Sequence, residues 1–427
     1  MQVRRAFKMT ELPRPCNLPL THARISIIFC RRMTHRLPAQ IDVSTTLAFL
    51  RERAQALGFS ALGVSPAEEL PSGVHLDAWL EAGYPGRMAY MHNHRPLRTN
   101  AAVLHPGAKT VISLTTPYRP LVLEDGRARI AAYAHGLDYH NILRAKLLTL
   151  LDELEAYLGF SVNGRPLVDS APLLERASAE RAGLGWFGRS AMLIHPERGT
   201  YTLLSELLID LPLEEDVEPV RDHCGHCRRC VDACPTGAIV GDRVVDGSRC
   251  ISYLTIELKG TIPRDLRSAI GEQMFGCDIC QAVCPWNRFA DDVQIDELAP
   301  REVLAHFDAR DALQLDRAEF KALFKGSPLE RTKRRGLARN AAVVLGNRTA
   351  AQDLPLLIQQ LQTHDEPLVR EHLVWAISRY MDHSDPNIRN SAHSALRVAF
   401  DEELDDTVRA ELRWALPQPH FESESDA

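Results

Sequence analysis

Eight of the ten cysteines of this chain fall between positions 224 and 284, and they are the residues best suited to chemistry. They form two runs, each closed by a Cys-Pro pair, and one isolated position: Cys224, Cys227, Cys230 and Cys234; Cys277, Cys280 and Cys284; and Cys250. The spacers are two, two and three residues in the first run, and two and three in the second. Clustered thiols in a chain without export signals favour metal binding over disulfides.

The spacing matches that of bacterial ferredoxins with two clusters, in which the fourth Cys of each run binds the other cluster. The same rule predicts two [4Fe-4S] clusters here. Their ligands are Cys224, Cys227, Cys230 and Cys284 for cluster one, and Cys277, Cys280, Cys234 and Cys250 for cluster two. Two structural zinc ions are the alternative, since C-x2-C pairs suffice for zinc. Zinc does not account for the third Cys or for the repeated Cys-Pro ending.

The composition limits the possible classes of protein. A chain of 427 residues can form two or three domains. Its net charge of −6 gives no overall attraction to nucleic acid or to lipid, so such affinity must come from a local patch. No apolar run approaches the roughly 20 residues of a membrane-spanning helix. We therefore expect a cytoplasmic protein, and a monomer because no feature calls for an oligomer.

The elements that must position the cysteines divide the chain into five predicted segments. These are an extension at 1–40, an α/β domain at 41–215, the cysteine module at 216–300, a helical domain at 301–420 and an acidic tail at 421–427. The extension is either disordered or the result of an over-long start assignment, with Met33 as the true first residue. The tail is expected to be disordered.

Periodicity supports the two larger segments. A helix capped by Asp42 or Ser44, strands near 59–65 and 110–118, and an amphipathic helix over 141–158 indicate alternating helices and strands. The cysteine module has few large apolar residues, so we expect metal to stabilise it. Residues 339–347 and 370–379 resemble each other, and 388–398 is a weaker third copy, which favours HEAT-like helical pairs. The predicted fold class is a multi-domain α+β protein: an α/β domain, a ferredoxin-like module for two [4Fe-4S] clusters and C-terminal all-α HEAT-like repeats.

Two stretches of the α/β segment carry candidate site residues. Asp138 and His140 stand just before the long helix, where helix capping is the alternative explanation. They match the start of the D-x-H-x-x-G motif that provides a histidine ligand to cobalamin, but Leu143 replaces the glycine, so His140 is not predicted to bind cobalt. The stretch GLGWFG at 183–188 would let backbone approach a flat ligand, or it is a glycine-rich corner around a core Trp. No dinucleotide or phosphate-loop motif is present.

Taken together, these motifs resemble the epoxyqueuosine reductases, cobalamin-dependent tRNA-modifying enzymes related to reductive dehalogenases. The resemblance runs in order through about 42–400 and rests on the eight cysteines and on these stretches: AHGLDYH at 134–140, VDSAPLLER at 168–176, AGLGWFG at 182–188, RCISYLT at 249–255 and RNAAVVLGN at 339–347. Arg189 departs from the family pattern, which has Lys at that position, but it keeps the charge.

The resemblance implies a function. Members reduce epoxyqueuosine to queuosine at the wobble position of tRNA, the last step in making that base. Electrons would come from an external low-potential donor through the clusters to cobalamin, which the family binds with its own base detached. Asp138 matches the family's proton donor, and an apolar corrin face would help it stay protonated. The other expected cobalamin contacts, beside Asp138 itself, are Arg98, Asp169, Leu173, Leu184, Trp186 and Phe187.

A tRNA substrate needs a surface that binds phosphate. Five cations within residues 331–339 lead into the helical segment and are the predicted tRNA contacts: Arg331, Lys333, Arg334, Arg335 and Arg339. A solvated face of a helix is the alternative. Two other functions remain open, a cobalamin-dependent reductive dehalogenase-like enzyme and a ferredoxin-type electron carrier with a helical scaffold.

Overall fold

The computed structural model describes residues 41–118, 126–289 and 295–416. The predicted extension at 1–40 and the predicted tail at 421–427 lie outside these residues. From Asp42 onward the chain forms one compact unit. The predicted segment limits near 215 and 300 therefore stay predictions. None of the described helices combines the length and apolar character of a bilayer-spanning segment.

Helices and strands alternate in the first half of the described chain. The elements are α1 (Val43–Ala56), β1 (Ala61–Pro66), α2 (Gly73–Glu81), α3 (Arg95–Thr99), α4 (Ala101–Leu104), β2 (Thr110–Pro117), β3 (Arg129–Ile130), α5 (Tyr139–Leu158), β4 (Gly164–Leu167), α6 (Glu175–Arg181), β5 (Trp186–Phe187), β6 (Leu193–Ile194) and β7 (Thr202–Ile209). Asp42 caps α1, one of the two predicted caps, and Gly159 ends α5 in a left-handed conformation.

The central sheet has the strand order β1-β2-β7-β4, and all three pairings are antiparallel. The α/β prediction for this segment is therefore wrong in strand direction, and the sheet is of the α+β kind. Alternation of helices and strands does not determine pairing, because β7 enters between β2 and β4 after a long excursion of the chain. Helix α5 packs on one face through Leu151 against Gly164. On the other face, a Cβ on Gly63 would lie 2.2 Å from the Ala182 carbonyl oxygen, so only glycine fits beneath the end of α6.

The cysteine module contains short elements. They are α7 (Arg229–Ala233), β8 (Ile239–Gly241), β9 (Val244–Val245), a π-helical turn (Tyr253–Glu257), α8 (Arg264–Ile270), β10 (Gln273–Phe275) and α9 (Ile279–Ala282). Ile251, Leu254, Met274 and Phe275 are fully buried in the same core as the C-terminal helices. The expectation of little apolar burial is wrong for this part of the module, because partners distant in sequence complete its core.

The C-terminal part is helical, as predicted. Its helices are α10 (Glu302–His306), α11 (Ala309–Gln314), α12 (Arg317–Phe324), α13 (Lys333–Arg348), α14 (Leu354–Thr363), α15 (Pro367–Ser378), α16 (Pro386–Glu402) and α17 (Asp406–Ala415). One row runs α11, α13, α15, α17, and α14 and α16 pack beside it. The first two similar segments lie on α13 and α15. The weaker third copy lies on α16 outside this row, where only Ala392 and Leu396 are buried; α17 takes the next place in the row.

Arg339 and Asn340 connect α13 to the cysteine module. Arg339 donates hydrogen bonds to the carbonyl oxygens of Leu254, Leu258 and Gly260, and its side chain is 1% exposed. Asn340 donates to the carbonyl oxygens of the π-helical turn and of β10, close to two of the predicted cluster ligands. The prediction that Arg339 contacts tRNA is wrong, because its guanidinium is buried and already donates hydrogen bonds to backbone carbonyl oxygens.

Candidate functional site

The loop that carries Asp138 is held against the C-terminal part of the unit. The backbone N–H of Asp138 donates to the carbonyl oxygen of Gly326 at 2.8 Å, and that of Leu137 donates to Glu297 at 2.9 Å. A Cβ on Gly136 would lie 2.6 Å from the carbonyl oxygen of Leu298. Only glycine fits at position 136, because any side chain would clash with Leu298. This close packing holds the backbone of Asp138 in place.

Asp138 and His140 form a tight pair at the start of α5. Oδ1 of Asp138 accepts the backbone N–H of His140 at 3.1 Å, so Asp138 caps the helix. The same oxygen lies 2.6 Å from Nδ1 of the His140 ring. The capping alternative is thus confirmed, and it places the carboxylate on the imidazole.

Asp169 lies on the opposite side of the His140 ring from Asp138. Its Oδ2 lies 3.6 Å from Nε2 of His140 and accepts the hydroxyl of Tyr139 at 2.7 Å. Asp169 has φ of 48°, a left-handed conformation that is uncommon for residues other than glycine. Such local strain is found where the surrounding structure demands one side-chain position. His140 therefore lies between two carboxylates from segments far apart in sequence.

These contacts decide where the proton resides. Burial alone would lower the pKa of His140, but its hydrogen bond to Asp138 and the nearby negative charges of Asp138 and Asp169 together outweigh burial and raise the pKa to about 9. Burial would raise the pKa of Asp138, but the hydrogen bonds and the charge of His140, with a smaller contribution from Arg331, together outweigh burial and lower that pKa below its usual value. The expectation that an apolar corrin face keeps Asp138 protonated stays a prediction; in the protein alone, the contact with His140 favours the carboxylate.

A buried glutamate, Glu206, and a half-buried one, Glu175, lie behind Asp169. Glu206 is 0% exposed in the centre of β7, opposite Ser113 and Leu167 of the neighbouring strands. Its carboxylate oxygens meet no donor among the described residues, while Glu175 lies beside it and accepts the backbone N–H of Asp169 at 2.6 Å. Burial raises the pKa of Glu175 to about 8 and that of Glu206 well above its usual value. A proton on one of the two carboxyl groups is the donor that can satisfy the pair.

Sequence reasoning did not assign a role to Glu175 or Glu206. Glu175 sits inside the VDSAPLLER stretch, where only the first acid drew attention. Glu206 is a single acid in an otherwise largely apolar strand, TLLSELLI. That pattern is a usable signal, because a buried carboxyl needs a partner or a proton.

Arg331 lies at the mouth of the same site. Its charge helps to lower the pKa of both Asp138 and Asp169. It also pairs with Glu257 of the π-helical turn at 3.5 Å, and Lys259 donates to its carbonyl oxygen at 3.1 Å. The first cation of the predicted tRNA segment thus lies near enough to the Asp138 pair to influence its charge.

The predicted cobalamin contacts fall into two sets. Arg98, Asp169 and Leu173 make up the first set, and the backbone N–H of Leu174 donates to the Arg98 carbonyl oxygen, which brings Arg98 beside the segment that carries Leu173. The Arg98 guanidinium is largely buried and donates to the carbonyl oxygens of Tyr90 and Asn93.

The second set, Leu184, Trp186 and Phe187, borders the cysteine module. The Trp186 ring lies 5.0 Å from that of Trp286 and 5.2 Å from that of His223. Leu184 and Trp186 are buried, and the indole N–H of Trp186 meets no acceptor among the described residues. An orphaned buried donor beside glycine-rich backbone fits a site for a large polar ligand.

The ligands predicted for cluster one lie together. Burial raises the pKa of Cys230, and the neighbouring thiols of Cys224 and Cys227 raise it further. Burial and the same three thiols raise the pKa of Cys284. Cys284 also lines a surface groove of about 540 Å³ between α7 and α9, together with Arg229 and Asp232.

The ligands predicted for cluster two form a second group. Burial raises the pKa of Cys277 to about 12, with Cys250 and Cys234 as neighbouring thiols. Burial also raises the pKa of Cys280, next to Cys277 and Cys250. Cys250 and Cys277 pack against the hydrophobic core. All eight cysteines of the module are free thiols. A cluster would supply the cationic iron that such buried thiolates lack.

Two family models match this chain at these two places. One, described as 4Fe-4S double cluster binding domain, matches residues 223–287. The other, described as Epoxyqueuosine reductase QueG, DUF1730, matches residues 98–170, which include Asp138. A protein of Pseudomonas aeruginosa named epoxyqueuosine reductase is 41% identical over 340 residues, covering 78% of this chain and 93% of that protein. This chain belongs to the epoxyqueuosine reductase family.

Other members support the same assignment. The epoxyqueuosine reductase of Escherichia coli strain K12 is 37% identical over 349 residues, covering 80% of this chain and 91% of that protein. Among solved structures, a selenomethionine-labelled epoxyqueuosine reductase has a TM-score of 0.80 at 30% identity, covering 88% of this chain and 99% of that chain. An epoxyqueuosine reductase with an epoxyqueuosine-modified tRNA-Tyr stem loop has a TM-score of 0.79 at 30% identity, covering 88% and 98%.

In this chain the basic segment at 331–339 is only partly available to a ligand. Lys333 and Arg335 are exposed at the start of α13. The Arg334 side chain is 12% exposed and pairs with Asp365 and Glu366. Arg334 is therefore a poorer phosphate contact than its position in the sequence indicates, because it is already neutralised.

The pairing of Glu175 with Glu206 predicts how the free energy of unfolding depends on pH. Because the folded pKa of Glu175 is raised to about 8 from an ordinary 4.5, the stability from this pair is fully present below pH 4.5 and is lost as pH rises through 8. Glu206→Gln removes one of the two acids. We expect the fall in the free energy of unfolding between pH 5 and pH 8 to shrink by about 1–3 kcal/mol.

Urea unfolding at the two pH values measures this difference. Glu214→Gln, at an exposed position, is the matched control and should keep the wild-type pH dependence. Equal pH dependence in Glu206→Gln and wild type would show that the buried pair holds no extra proton.

Proposed function

We propose that this protein reduces epoxyqueuosine to queuosine at the wobble position of tRNA, the final step in forming that base. The observation that carries the proposal is the Asp138–His140 pair, a built proton source, in one compact unit with two groups of four thiols. Removing the epoxide oxygen breaks both carbon–oxygen bonds, forms a carbon–carbon double bond and takes up two electrons and two protons to release water. The two groups of thiols would bind the electron carriers, and the Asp138–His140 pair would supply the protons.

Two [4Fe-4S] clusters on the eight cysteines would carry the electrons. Cluster one is the outer cluster, because Cys284 lines the surface groove. Cluster two is the inner one, because Cys250 and Cys277 pack against the core. Cys224, Cys227, Cys230 and Cys284 would hold the cluster that could accept electrons from an external low-potential donor, and Cys277, Cys280, Cys234 and Cys250 would hold the one that could pass them on.

Cobalamin is the group that would collect electrons one at a time from the clusters and deliver two of them to the substrate. When bound, it supplies a cobalt centre that can be reduced to a strong nucleophile. Its expected contacts are Arg98, Asp138, Asp169, Leu173, Leu184, Trp186 and Phe187. His140 is engaged by Asp138 on one side and Asp169 on the other, and this arrangement supports binding without a histidine on the metal and with the base detached.

Asp138 is the proposed proton donor to the departing oxygen. Its carboxylate is fixed by the capping bond and by the pinned loop before it, so it can hold a defined geometry toward a substrate. Arg331 at the mouth of the site offers a cation to an incoming phosphate. The wobble base has to leave its stack to reach Asp138, as bases generally must for enzymes that modify them.

The tRNA would lie across the mouth of the site and the start of α13. Arg331, Lys333 and Arg335 are the contacts that the structure supports best, while Arg334 is a weaker one. The C-terminal helices would act as HEAT-like repeats that hold the RNA. We also propose that the protein acts in the cytoplasm as a monomer.

The decisive experiment uses anaerobically reconstituted full-length protein, a chemical one-electron reductant and tRNA that carries epoxyqueuosine. We expect the modified nucleoside to lose one oxygen atom, as measured by mass spectrometry of the digested tRNA. Reduction of a halogenated aromatic in the same assay, with unchanged tRNA, would favour the dehalogenase-like alternative. Rapid cluster oxidation without any product would favour the electron carrier.

The exposed cations make a prediction about tRNA binding. Lys333→Glu combined with Arg335→Glu should weaken binding about tenfold or more and should reduce the slope of log affinity against log salt by about one to two, because phosphate contacts release counterions. A filter-binding series at several salt concentrations measures both quantities. Arg397→Glu combined with Arg413→Glu changes the net charge equally at exposed positions on α16 and α17 and is the control. An unchanged salt slope in the first variant would place the tRNA elsewhere.

A further inference from the structure

The proposed reaction needs protons that Asp138 alone does not hold. The oxygen of the epoxide takes up two protons before it leaves as water, and one carboxyl group carries one at a time. In this structure the hydrogen bond from His140 lowers the pKa of Asp138 below its usual range. The proton that Asp138 delivers must therefore arrive from a neighbour during the reaction. This inference rests on the proposed function.

His140 is the neighbour with the right contacts. Its Nδ1 lies 2.6 Å from Oδ1 of Asp138, a distance at which a proton transfers directly. Its Nε2 lies 3.6 Å from Oδ2 of Asp169. The ring stacks on Tyr139 with centroids 4.1 Å apart, so it cannot turn away without losing three contacts.

We propose that His140 stores the proton that Asp138 delivers. The Nδ1 proton of the imidazolium first passes to the Asp138 carboxylate, and the carboxyl group so formed gives its proton to the departing oxygen, which leaves a neutral imidazole and the Asp138 carboxylate. Asp169 holds the ring in this orientation and stabilises its charge. His140 acts through Asp138 and is a positioning residue that also carries the proton.

Refilling occurs from solvent, because the His140 side chain is 21% exposed. A second proton then passes from Nδ1 of His140 through Oδ1 of Asp138 to the same oxygen, which leaves as water. No additional reductant or acid is required, since both electrons come from the clusters and both protons enter at His140.

The charged groups around the ring favour its protonated form. Asp138 faces it from the loop before α5, and Asp169 faces it from the segment after β4. Arg331, from the turn before α13, is the opposing cation. Glu175 lies behind Asp169 and shares a proton with Glu206, so it adds little negative charge at neutral pH. Two carboxylates against one guanidinium leave a net attraction for a proton on His140.

The first test locates the proton without using activity. Exchange of the imidazole C2 hydrogen for deuterium, followed by mass spectrometry across a pH series, reports the protonation of each histidine in the full-length cluster-loaded protein. We expect the midpoint of His140 near pH 9 in the wild type. It should fall by about one pH unit or more in Asp138→Asn and in Asp169→Asn. A wild-type midpoint at the ordinary histidine value of about 6.5 would overturn the proposal.

The second test uses single-turnover rates on epoxyqueuosine tRNA. His140→Gln should lower the rate near pH 7.5 by roughly 10²-fold and shift its alkaline limb to lower pH, because Asp138 then takes its proton directly from solvent. Lowering the pH should recover much of the lost rate, which a merely misfolded variant would not do. A wild-type rate and pH profile in His140→Gln would overturn the proposal. If the wild-type protein fails to convert this tRNA, the proposed function is wrong, while the exchange midpoints still report where the proton lies.

Discussion

Asp138→Asn is expected to abolish turnover while leaving the fold and the iron content unchanged. Asparagine caps a helix as well as aspartate does, so α5 keeps its start and its packing on the sheet. The amide cannot give up a proton, and a general acid contributes roughly 10²–10⁴-fold to such a step. The rate of single-turnover conversion should therefore fall by that amount, with no change in tRNA affinity.

The matched control is Asp152→Asn, at an exposed position on the same helix. It should retain wild-type conversion, which separates loss of a particular acid from loss of any negative charge on α5. Equal iron content and equal circular dichroism in the two variants would confirm intact protein. Near-normal conversion by Asp138→Asn would contradict the assigned role, and the proton would then have to reach the substrate by another path.

Cys250→Ser is expected to remove cluster two and all turnover. Cys250 stands apart from both runs in sequence, yet the structure places it beside Cys234, Cys277 and the core. With three thiols left, cluster two is not retained, and iron should fall from about eight to about four atoms per chain. Because cluster two is the inner cluster, electrons that reach cluster one would have no onward route.

Iron analysis together with the electron paramagnetic resonance spectrum of the reduced protein measures this loss. His226→Ala, next to the ligands of cluster one, is the control and should keep both clusters and full conversion. Full iron in Cys250→Ser would assign the fourth ligand of cluster two to another residue. Loss of iron in His226→Ala would bring that histidine into cluster one.

Local spacing was enough to anticipate part of the site. The cysteine runs are short, so their spacers define how a loop can wrap a cluster, and the grouping of Cys224, Cys227, Cys230 and Cys284 in space matches that expectation. The helix caps at Asp42 and Asp138 follow from residue type and position in the same way. These features depend on neighbours within a few residues, and the sequence displays those neighbours directly.

Other features depend on residues that are far apart in sequence, and the sequence did not predict them. Alternating helices and strands predicted an α/β arrangement, but the sheet is antiparallel because β7 pairs between β2 and β4. Arg339 belongs to a basic run in the sequence, yet three carbonyl oxygens from the cysteine module bury its guanidinium. Arg334 is neutralised by acids that lie beyond the next helix.

By itself, the sequence determined the family and the aspartate that caps α5, and it predicted the iron–sulfur ligands, because each rests on residue types at short, recognisable spacings. Only the tertiary structure decided where the proton lies. Asp138 and His140 are neighbours at the start of α5, but Asp169 and Arg331 come from distant segments, and the pKa of each carboxyl and imidazole group depends on the charges and burial that the others impose. Electrostatic interactions act through space at a few ångströms, so the protonation of the site became visible only once the fold had brought these side chains together.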